Sequence, residues 1–341
     1  MLKKSVTMSD IAKAMNVSTV TVSKALGDRE GVSDALRGRI KQKATEMGYR
    51  IHTGGHAQRS GLTYHIGIIV ANHFISEPSA FYWIMYKHLA ELLRRQNYYG
   101  MLEGVEDSAD GSCEIPISVR DRNVDGLILL GQFSDEYIDN LMSFDIPTVF
   151  LDFYGSRGDA DTVLSDNFYG SYLLTSHLIA YGHSRIGFLG SIGSTSSIQD
   201  RYLGYYKALL ENRIALRQDW IVGDRTPEGE IHKEFALPGE LPTAFVCNCD
   251  ESAFRLVGQL QNEGYKIPDD ISVAGYDNHV YSTMCRPHLT TMDVNSQQMA
   301  EEAVEIVLHK IRDGSYRRGR TLVMGKLILR DSVRDLRVPN E

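Results

Sequence analysis

Three strand-like apolar runs in this chain each end on polar side chains. Asp152 follows Val149-Phe150-Leu151, Asn248 and Asp250 follow Phe245-Val246-Cys247, and Asp277 and Asn278 follow Val273-Ala274-Gly275-Tyr276. In doubly wound folds ligands bind outside the carboxyl ends of the strands, which is where these groups would stand. Carboxylates, amides and guanidinium suit the hydroxyls of a sugar, and a flat aromatic suits its C–H face. A plainer reading stays open: Asp277 and Asn278 could form an Asx turn, and Asn248 could be an amide that opens a loop.

A second constellation lies near the N-terminus, at Ser18-Thr19-Val20-Thr21-Val22-Ser23-Lys24. Wound as a helix, it turns Thr19, Val20, Ser23 and Lys24 outward. Lys24 can donate to guanine acceptors or a phosphate, Thr19 can bond a base edge, and Val20 can touch a thymine methyl. Ser18 and Thr21 are better placed for phosphate, which positions a protein on DNA without reading sequence.

The elements that would hold this second set are legible. Ser9 is a capping residue ahead of a helix-forming run whose Ile11, Ala12 and Met15 share a face. Asn16-Val17-Ser18 breaks the pattern, because Asn tolerates a left-handed turn and Ser18 can cap a new helix. That helix, about Thr19 to Leu26, turns Val22, Ala25 and Leu26 inward. A third runs from near Ser33 to Gly48 with Leu36, Ile40, Ala44 and Met47 inward. Three short helices with a three-residue turn between the first two make a helix-turn-helix. Charge agrees: residues 1–50 carry ten Lys/Arg against five Asp/Glu, while the whole chain is −8, so residues 51–341 carry −13. A basic head on an acidic body is expected where only the head meets a polyanion.

From Tyr64 on, β-branched runs alternate with helical segments. Strands are expected at 65–70, 126–130, 148–151, 186–189, 244–247 and 271–276, with helices at 81–96, 134–143, 168–181, 200–212, 251–264 and 296–313. Alternation of this kind implies parallel sheets with helices on both faces, and so many elements imply two lobes. The expected fold class is α/β: a small all-α head on a two-lobed, doubly wound parallel-sheet body.

Several functions are disfavoured. There is no G-x-S-x-G elbow, P-loop, H-E-x-x-H helix or complete G-x-G-x-x-G, so no enzyme is expected. No apolar run reaches the ~18–20 residues of a membrane helix, and no signal peptide is legible, so the cytoplasm is the expected compartment. The cysteines at 113, 247, 249 and 285 form no C-x-x-C pair, and the eleven histidines lack ligand spacing. Cys247 and Cys249, placed on one strand, would share a face as buried small side chains. Neither a metal nor another cofactor is expected. His183, in a Gly-His-Ser turn, is expected to cap that turn.

The run Val6-Thr7-Met8-Ser9-Asp10-Ile11-Ala12-Lys13, then Val17-Ser18-x-x-Thr21-Val22-Ser23-Lys24-Ala25-Leu26, then Val32-Ser33 and Met47-Gly48-Tyr49 closely resembles the head of the lactose-repressor (LacI/GalR) family. The likeness continues through Gly182-His183-Ser184-Arg185-Ile186, Ile267-Pro268-x-Asp270-Ile271-Ser272-Val273 and Leu289-Thr290-Thr291. It implies a homodimer on double-stranded operator DNA, read through Thr19, Val20 and Lys24, and a body like a periplasmic sugar-binding protein. By the same likeness Arg201 is the arginine that clamps the effector, although on its own it reads equally as a surface helix residue. Phe81 and Tyr82 match the aromatic pair that flanks the ligand. Implied boundaries are a head at 1–52, a linker at 53–63 and a body at 64–341. Its first lobe is expected at 64–163 and 291–321 and its second at 164–290 and 322–341. The linker departs from the family's Pro-Asn-x-x-Ala-x-x-Leu hinge helix: it carries Gly54-Gly55 and places Gln58 near the expected leucine. It is therefore a weak helix from His56 or a plain tether, since each glycine costs a helix about 1 kcal/mol.

The expected function is an effector-controlled transcription regulator, a repressor by type, with a sugar or sugar derivative as effector. A purine or other non-sugar corepressor is the alternative within the family. A sugar-transport protein would share the body but would not carry the basic head.

Overall fold

The computed structural model describes residues 8–26, 30–47, 62–75, 81–106 and 114–338. The chain divides into two units, Met1–Thr63 and Tyr64–Glu341. Most of the linker, including Gly54, Gly55 and Gln58, lies outside the described residues, as do Gly48 and Cys113.

In the first unit, α1 (Met8–Met15), α2 (Thr19–Leu26) and α3 (Asp34–Glu46) enclose a core of Ile11, Ala12, Val22, Ala25, Leu26, Ile40 and Ala44. Asn16 adopts a φ of 51° and makes the tight turn between the first two helices. Ser18 caps α2, its Oγ accepting from the Thr21 amide at 3.0 Å. Two expected caps differ. Ser9 lies inside α1, which begins one residue earlier, and Ser33 takes the cap backbone position of α3 with no side-chain bond.

The second unit holds two six-stranded sheets. The first, in the order β11-β5-β4-β3-β1-β2, comprises β1 (His65–Ala71), β2 (Tyr99–Val105), β3 (Gly126–Leu130), β4 (Thr148–Leu151), β5 (Asp161–Ser165) and β11 (Arg320–Val323). The second, in the order β12-β10-β9-β8-β6-β7, comprises β6 (Ile186–Leu189), β7 (Ile221–Val222), β8 (Ala244–Cys247), β9 (Ser272–Asp277), β10 (Thr290–Asp293) and β12 (Lys326–Ile328). The pairs are parallel except β10 with β12. Central strands such as β3, and β1 after His65, are apolar and buried because helices cover both faces.

The helices of this unit are α4 (Phe81–Arg95), α5 (Ile117–Arg120), α6 (Asp135–Met142), α7 (Asn167–Ala180), α8 (Ser196–Glu211), α9 (Asp250–Asn262), α10 (Tyr281–Met284) and α11 (Ser296–Arg312). α7 and α8 pack closely because Gly204 bears no side chain: a Cβ there would collide with the Phe168 carbonyl oxygen and stand 2.9 Å from the Tyr172 nitrogen. α11 is tied to β5 by a buried ion pair between Lys310 and Asp161, whose other oxygen accepts from the Arg318 and Gly319 amides at 2.6 and 2.8 Å.

The chain crosses between sheets after β5, after β10 and after β11. Thr291–Asp293 therefore belong to the second sheet and Leu322–Val323 to the first, a shift of two to three residues from the expected lobe edges. β2, β5, β7, β10, β11 and β12 have no counterpart among the strands expected from sequence: β2, β7, β11 and β12 are edge strands, and the interior β5 and β10 are short and polar, reading Asp-Thr-Val-Leu-Ser and Thr-Thr-Met-Asp.

Candidate functional site

On the head, Thr19, Val20 and Lys24 are all exposed on one helix, and Val20 is 64% exposed although it is apolar. A β-branched apolar residue held in water at the start of α2 has no packing role. Ser23 and Thr21 are half-buried. Ser18 and Thr21 hydroxyls lie 2.8 Å apart, so capping already uses part of their hydrogen-bonding capacity.

In the body, a cavity of about 530 Å³ opens between the carboxyl ends of the two sheets, within the usual range for a small-molecule site. All six residues expected there line it: Phe81 and Tyr82 on the first turn of α4, Asp152 after β4, Arg201 on α8, Asn248 after β8 and Asp277 at the end of β9. Backbone geometry turns two carboxylates inward, since Asp152 and Asp277 adopt φ of 68° and 104°, which strands do not use.

Arg201 sits in the second turn of α8, not at its start, because Thr195 caps that helix and it begins at Ser196. Its guanidinium is buried and fixed on every side. Nε donates to Asn167 Oδ1 at 2.8 Å and Nη1 to the Asn248 carbonyl at 2.5 Å. Nη2 lies 3.2 Å from Asp277 Oδ1, and the group stacks 3.9 Å from the Tyr276 ring. Burial pushes the Asp277 carboxyl up to about 7, against the pull of Arg201.

Across the cavity the Tyr82 hydroxyl donates to Asp152 Oδ2 at 3.0 Å. Burial raises the Asp152 carboxyl, with Arg201 and Tyr82 pulling it back. Asp152 Oδ1 is buried and has no hydrogen-bond partner among the described residues, and neither has the hydroxyl of Thr226, a residue that lines the same cavity. Unpaired buried polar atoms are costly, so their presence in a cavity argues for a ligand that supplies the bonds. Phe74 meets Tyr82 edge-on with ring centroids 4.9 Å apart, and with Phe81 they make an apolar wall on the first-lobe side.

A sequence profile of the lacI family of bacterial regulatory proteins matches residues 7–51, and one of the periplasmic binding protein-like domain matches residues 175–333. The chain belongs to the lacI family. The HTH-type transcriptional repressor PurR of Mannheimia succiniciproducens is 28% identical over 335 residues, 97% of this chain and 99% of that protein. A LacI family transcriptional regulator from Enterococcus faecium with bound ribose aligns over 80% of this chain and 99% of its own, at 25% identity and a TM-score of 0.67. The lac repressor dimer bound to operator and the anti-inducer ONPF aligns over 97% of this chain and 100% of its own, at 21% identity and a TM-score of 0.71. The chain is thus a lacI-family transcription regulator and not an enzyme. Among the described residues no helix is long and apolar enough to cross a membrane.

Within this lacI-family body, one wall of the cavity is built from residues that the sequence does not single out. The connection from β7 to β8, residues 223–243, is non-helical, although parallel strands are usually joined through a helix. It arches over the strand ends and brings Arg225, Thr226, Glu230 and Lys233 to the cavity. Asp224 is fully buried and pairs with Arg225 through both oxygens, at 3.0 and 2.9 Å. Burial alone would raise the Asp224 carboxyl; Arg225, Ser252 and Asn248 together hold it below its ordinary value. The Asn248 side chain is spent on this cluster, donating to Asp224 at 2.6 Å and accepting from Arg225 at 3.0 Å. Arg255 pins the arch through the Ile231 and His232 carbonyls at 2.7 and 3.2 Å.

Other residues picked out by the sequence serve the framework around the cavity. Asp250 is buried under it and accepts from Thr291 Oγ1 and the His279 amide, each at 2.7 Å. Asn278 bonds Asp293 and Arg330 at 2.9 and 2.6 Å. Cys249 does not share a strand face with Cys247: it lies beyond β8, caps α9 and lines the cavity, its thiol pushed up to about 12 by burial. His183 is buried between Thr243 Oγ1 at 3.0 Å and the Arg334 carbonyl at 3.1 Å, so it braces the C-terminal segment.

Proposed function

We propose that this lacI-family regulator is a repressor that binds operator DNA as a homodimer and is controlled by a sugar or sugar derivative held in the body cavity. The observation that carries this reading is the convergence of Asp152, Arg201, Asn248 and Asp277 with an aromatic wall on one cavity that contains an unpaired buried carboxylate oxygen. Ligand hydroxyls would donate to Asp152 Oδ1 and to the second oxygen of Asp277, while Phe81 and Tyr82 would take the C–H face. Arg201 would orient the ligand from a position its own contacts already fix, so little ordering cost would remain on binding. The bound ribose of the Enterococcus faecium regulator supports a carbohydrate for this cavity.

In the head, Thr19, Val20, Ser23 and Lys24 would meet base edges, with Ser18 and Thr21 on the backbone. Exposed apolar residues support dimerisation through the body: Tyr99 and Met101 on edge strand β2, Ile84 on α4, and Val280 and Met284 around α10. Acting on DNA, the protein would work in the cytoplasm. Effector binding would change the relation of the lobes, and with it the affinity of paired heads for paired half-sites.

The test is thermal unfolding of the full chain with mono- and disaccharides, sugar phosphates and purines. A sugar at 100 times its dissociation constant should stabilise the protein by about 2.7 kcal/mol. A shift with purines and none with any sugar would overturn the carbohydrate reading. Adding the active compound to an operator-binding assay then gives the sign of control.

A further inference from the structure

The two lobes are joined outside the cavity by a compact polar cluster. Tyr154, two residues after Asp152, donates its hydroxyl to Asp200 Oδ1 at 2.8 Å. Arg320, the first residue of β11, reaches the other oxygen of Asp200 at 3.2 Å and lies 4.5 Å over the Tyr154 ring. Alongside, the Tyr154 amide donates to Ser196 Oγ at 3.3 Å, and the Ser196 amide donates to Gln132 Oε1 at 3.0 Å. Tyr154, Gln132 and Arg320 belong to the first lobe, and Ser196 and Asp200 to the second. The cluster therefore bridges the lobes.

Its position relative to the cavity is what matters. Along the start of α8, Thr195, Ser197 and Arg201 line the cavity, while the interleaved Ser196 and Asp200 face the first lobe. On the β4–β5 loop Asp152 lines the cavity and Tyr154 enters the cluster. Two short stretches of backbone thus carry both sets of contacts, so a ligand that bridges Arg201 and Asp152 also bears on Asp200 and Tyr154. The ion pair is also a weak one, because the Arg320 side chain that reaches Asp200 at 3.2 Å is half exposed to water. A weak contact is one whose closure a ligand can decide, because only a small free-energy difference must be overcome.

We propose that Asp200, Tyr154 and Arg320 form a latch that holds the lobes together and couples their closure to occupancy of the cavity. Asp200 is then a positioning residue that acts through the first turns of α8 and touches no ligand. This rests on the reading of the cavity as an effector site, but the latch itself can be tested without any ligand.

The far side of the cleft supplies the readout. There the arch of the second lobe meets the first lobe where the His73 ring lies 3.2 Å from the position a Cβ would take on Gly229. No latch residue takes part in that contact. Hydrogen exchange of the ligand-free full chain should be compared for wild type, Asp200→Asn and Tyr154→Phe. If the latch holds the lobes, exchange should rise about two- to tenfold, the factor matching one net hydrogen bond, both at 194–202 and at the remote segments 72–75 and 224–232. Faster exchange confined to 152–158 and 194–202 would mean a local brace and would overturn the latch, as would no change anywhere. Tyr154→Phe keeps the ring under Arg320 and removes only the hydroxyl, so the comparison stands even if Asp200→Asn folds poorly. A sugar-panel failure would bear on the effector reading and leave this result unaffected.

Discussion

Replacing Asp277 with Asn should make the protein relatively more stable as pH rises from about 4 to about 7, with the advantage levelling off above that. The carboxyl is buried in the cavity, and desolvation carries it from an ordinary 3.8 to about 7. Its folded value lies above its unfolded one, so its favourable contribution is fully present below about pH 4. That contribution is lost as pH rises through about 7. Three units at 1.36 kcal/mol each give a loss of about 4 kcal/mol between pH 4 and pH 8. Asn cannot ionise and escapes that loss. It keeps the shape, and its oxygen can still accept from Arg201 Nη2, now 3.2 Å from Asp277. Arg201 also retains Asn167, the Asn248 carbonyl and the Tyr276 ring. The two proteins should therefore lie within about 1 kcal/mol of each other near pH 4, the net worth of one altered hydrogen bond. By pH 8 the variant should lead by most of the 4 kcal/mol. Denaturant unfolding of both at matched concentration, from about pH 4.5 to 8, measures the difference directly. A flat difference across that range, or a variant that becomes relatively weaker as pH rises, would refute the argument that burial outweighs Arg201.

Two further substitutions probe the rest of the chain. Lys24→Ala should weaken binding to the cognate operator by about 1–3 kcal/mol in a gel-shift titration, with the unfolding of the body unchanged. Lys310→Met leaves the fully buried Asp161 with only the Arg318 and Gly319 amides, and should destabilise the body by about 3–5 kcal/mol in thermal unfolding. Arg157→Met, which removes an exposed pair with Asp139 and Asp159, should cost about 1 kcal/mol or less and serves as the control.

The sequence could be read furthest where local chemistry decides the structure. Asn16 tolerates a left-handed turn and Ser18 caps α2, so the helix-turn-helix needs no long-range information beyond its apolar spacing. The strand ends at Asp152, Asn248 and Asp277 were legible for a related reason: each comes after an apolar run buried on both faces, and that pattern announces a central parallel strand. Edge and short strands announce nothing. β2 alternates exposed Tyr99 and Met101 with half-buried neighbours, and β12 is three residues long.

The arch shows what this blindness hides. β7 is two residues, Ile221 and Val222, so nothing marked Asp224 and Arg225 as strand-end residues. Yet the rule that pointed to the other cavity-lining groups applies to them as well, since they come after a parallel strand paired with β6. Arg225 also changes what the cavity can be. Asn248, read from sequence as a ligand contact, has its amide donated to Asp224 and its oxygen taken by Arg225. The side chain with unused donors is Arg225, whose Nη1 makes no hydrogen bond among the described residues while Nε and Nη2 are held. A ligand acceptor on that side of the cavity would therefore meet the guanidinium before the amide, and Asn248 would act by fixing the guanidinium's direction. The strand-end rule led to residues that line the cavity, but burial and hydrogen-bond partners, which only the fold supplies, decide which of them has donors or acceptors left to face it.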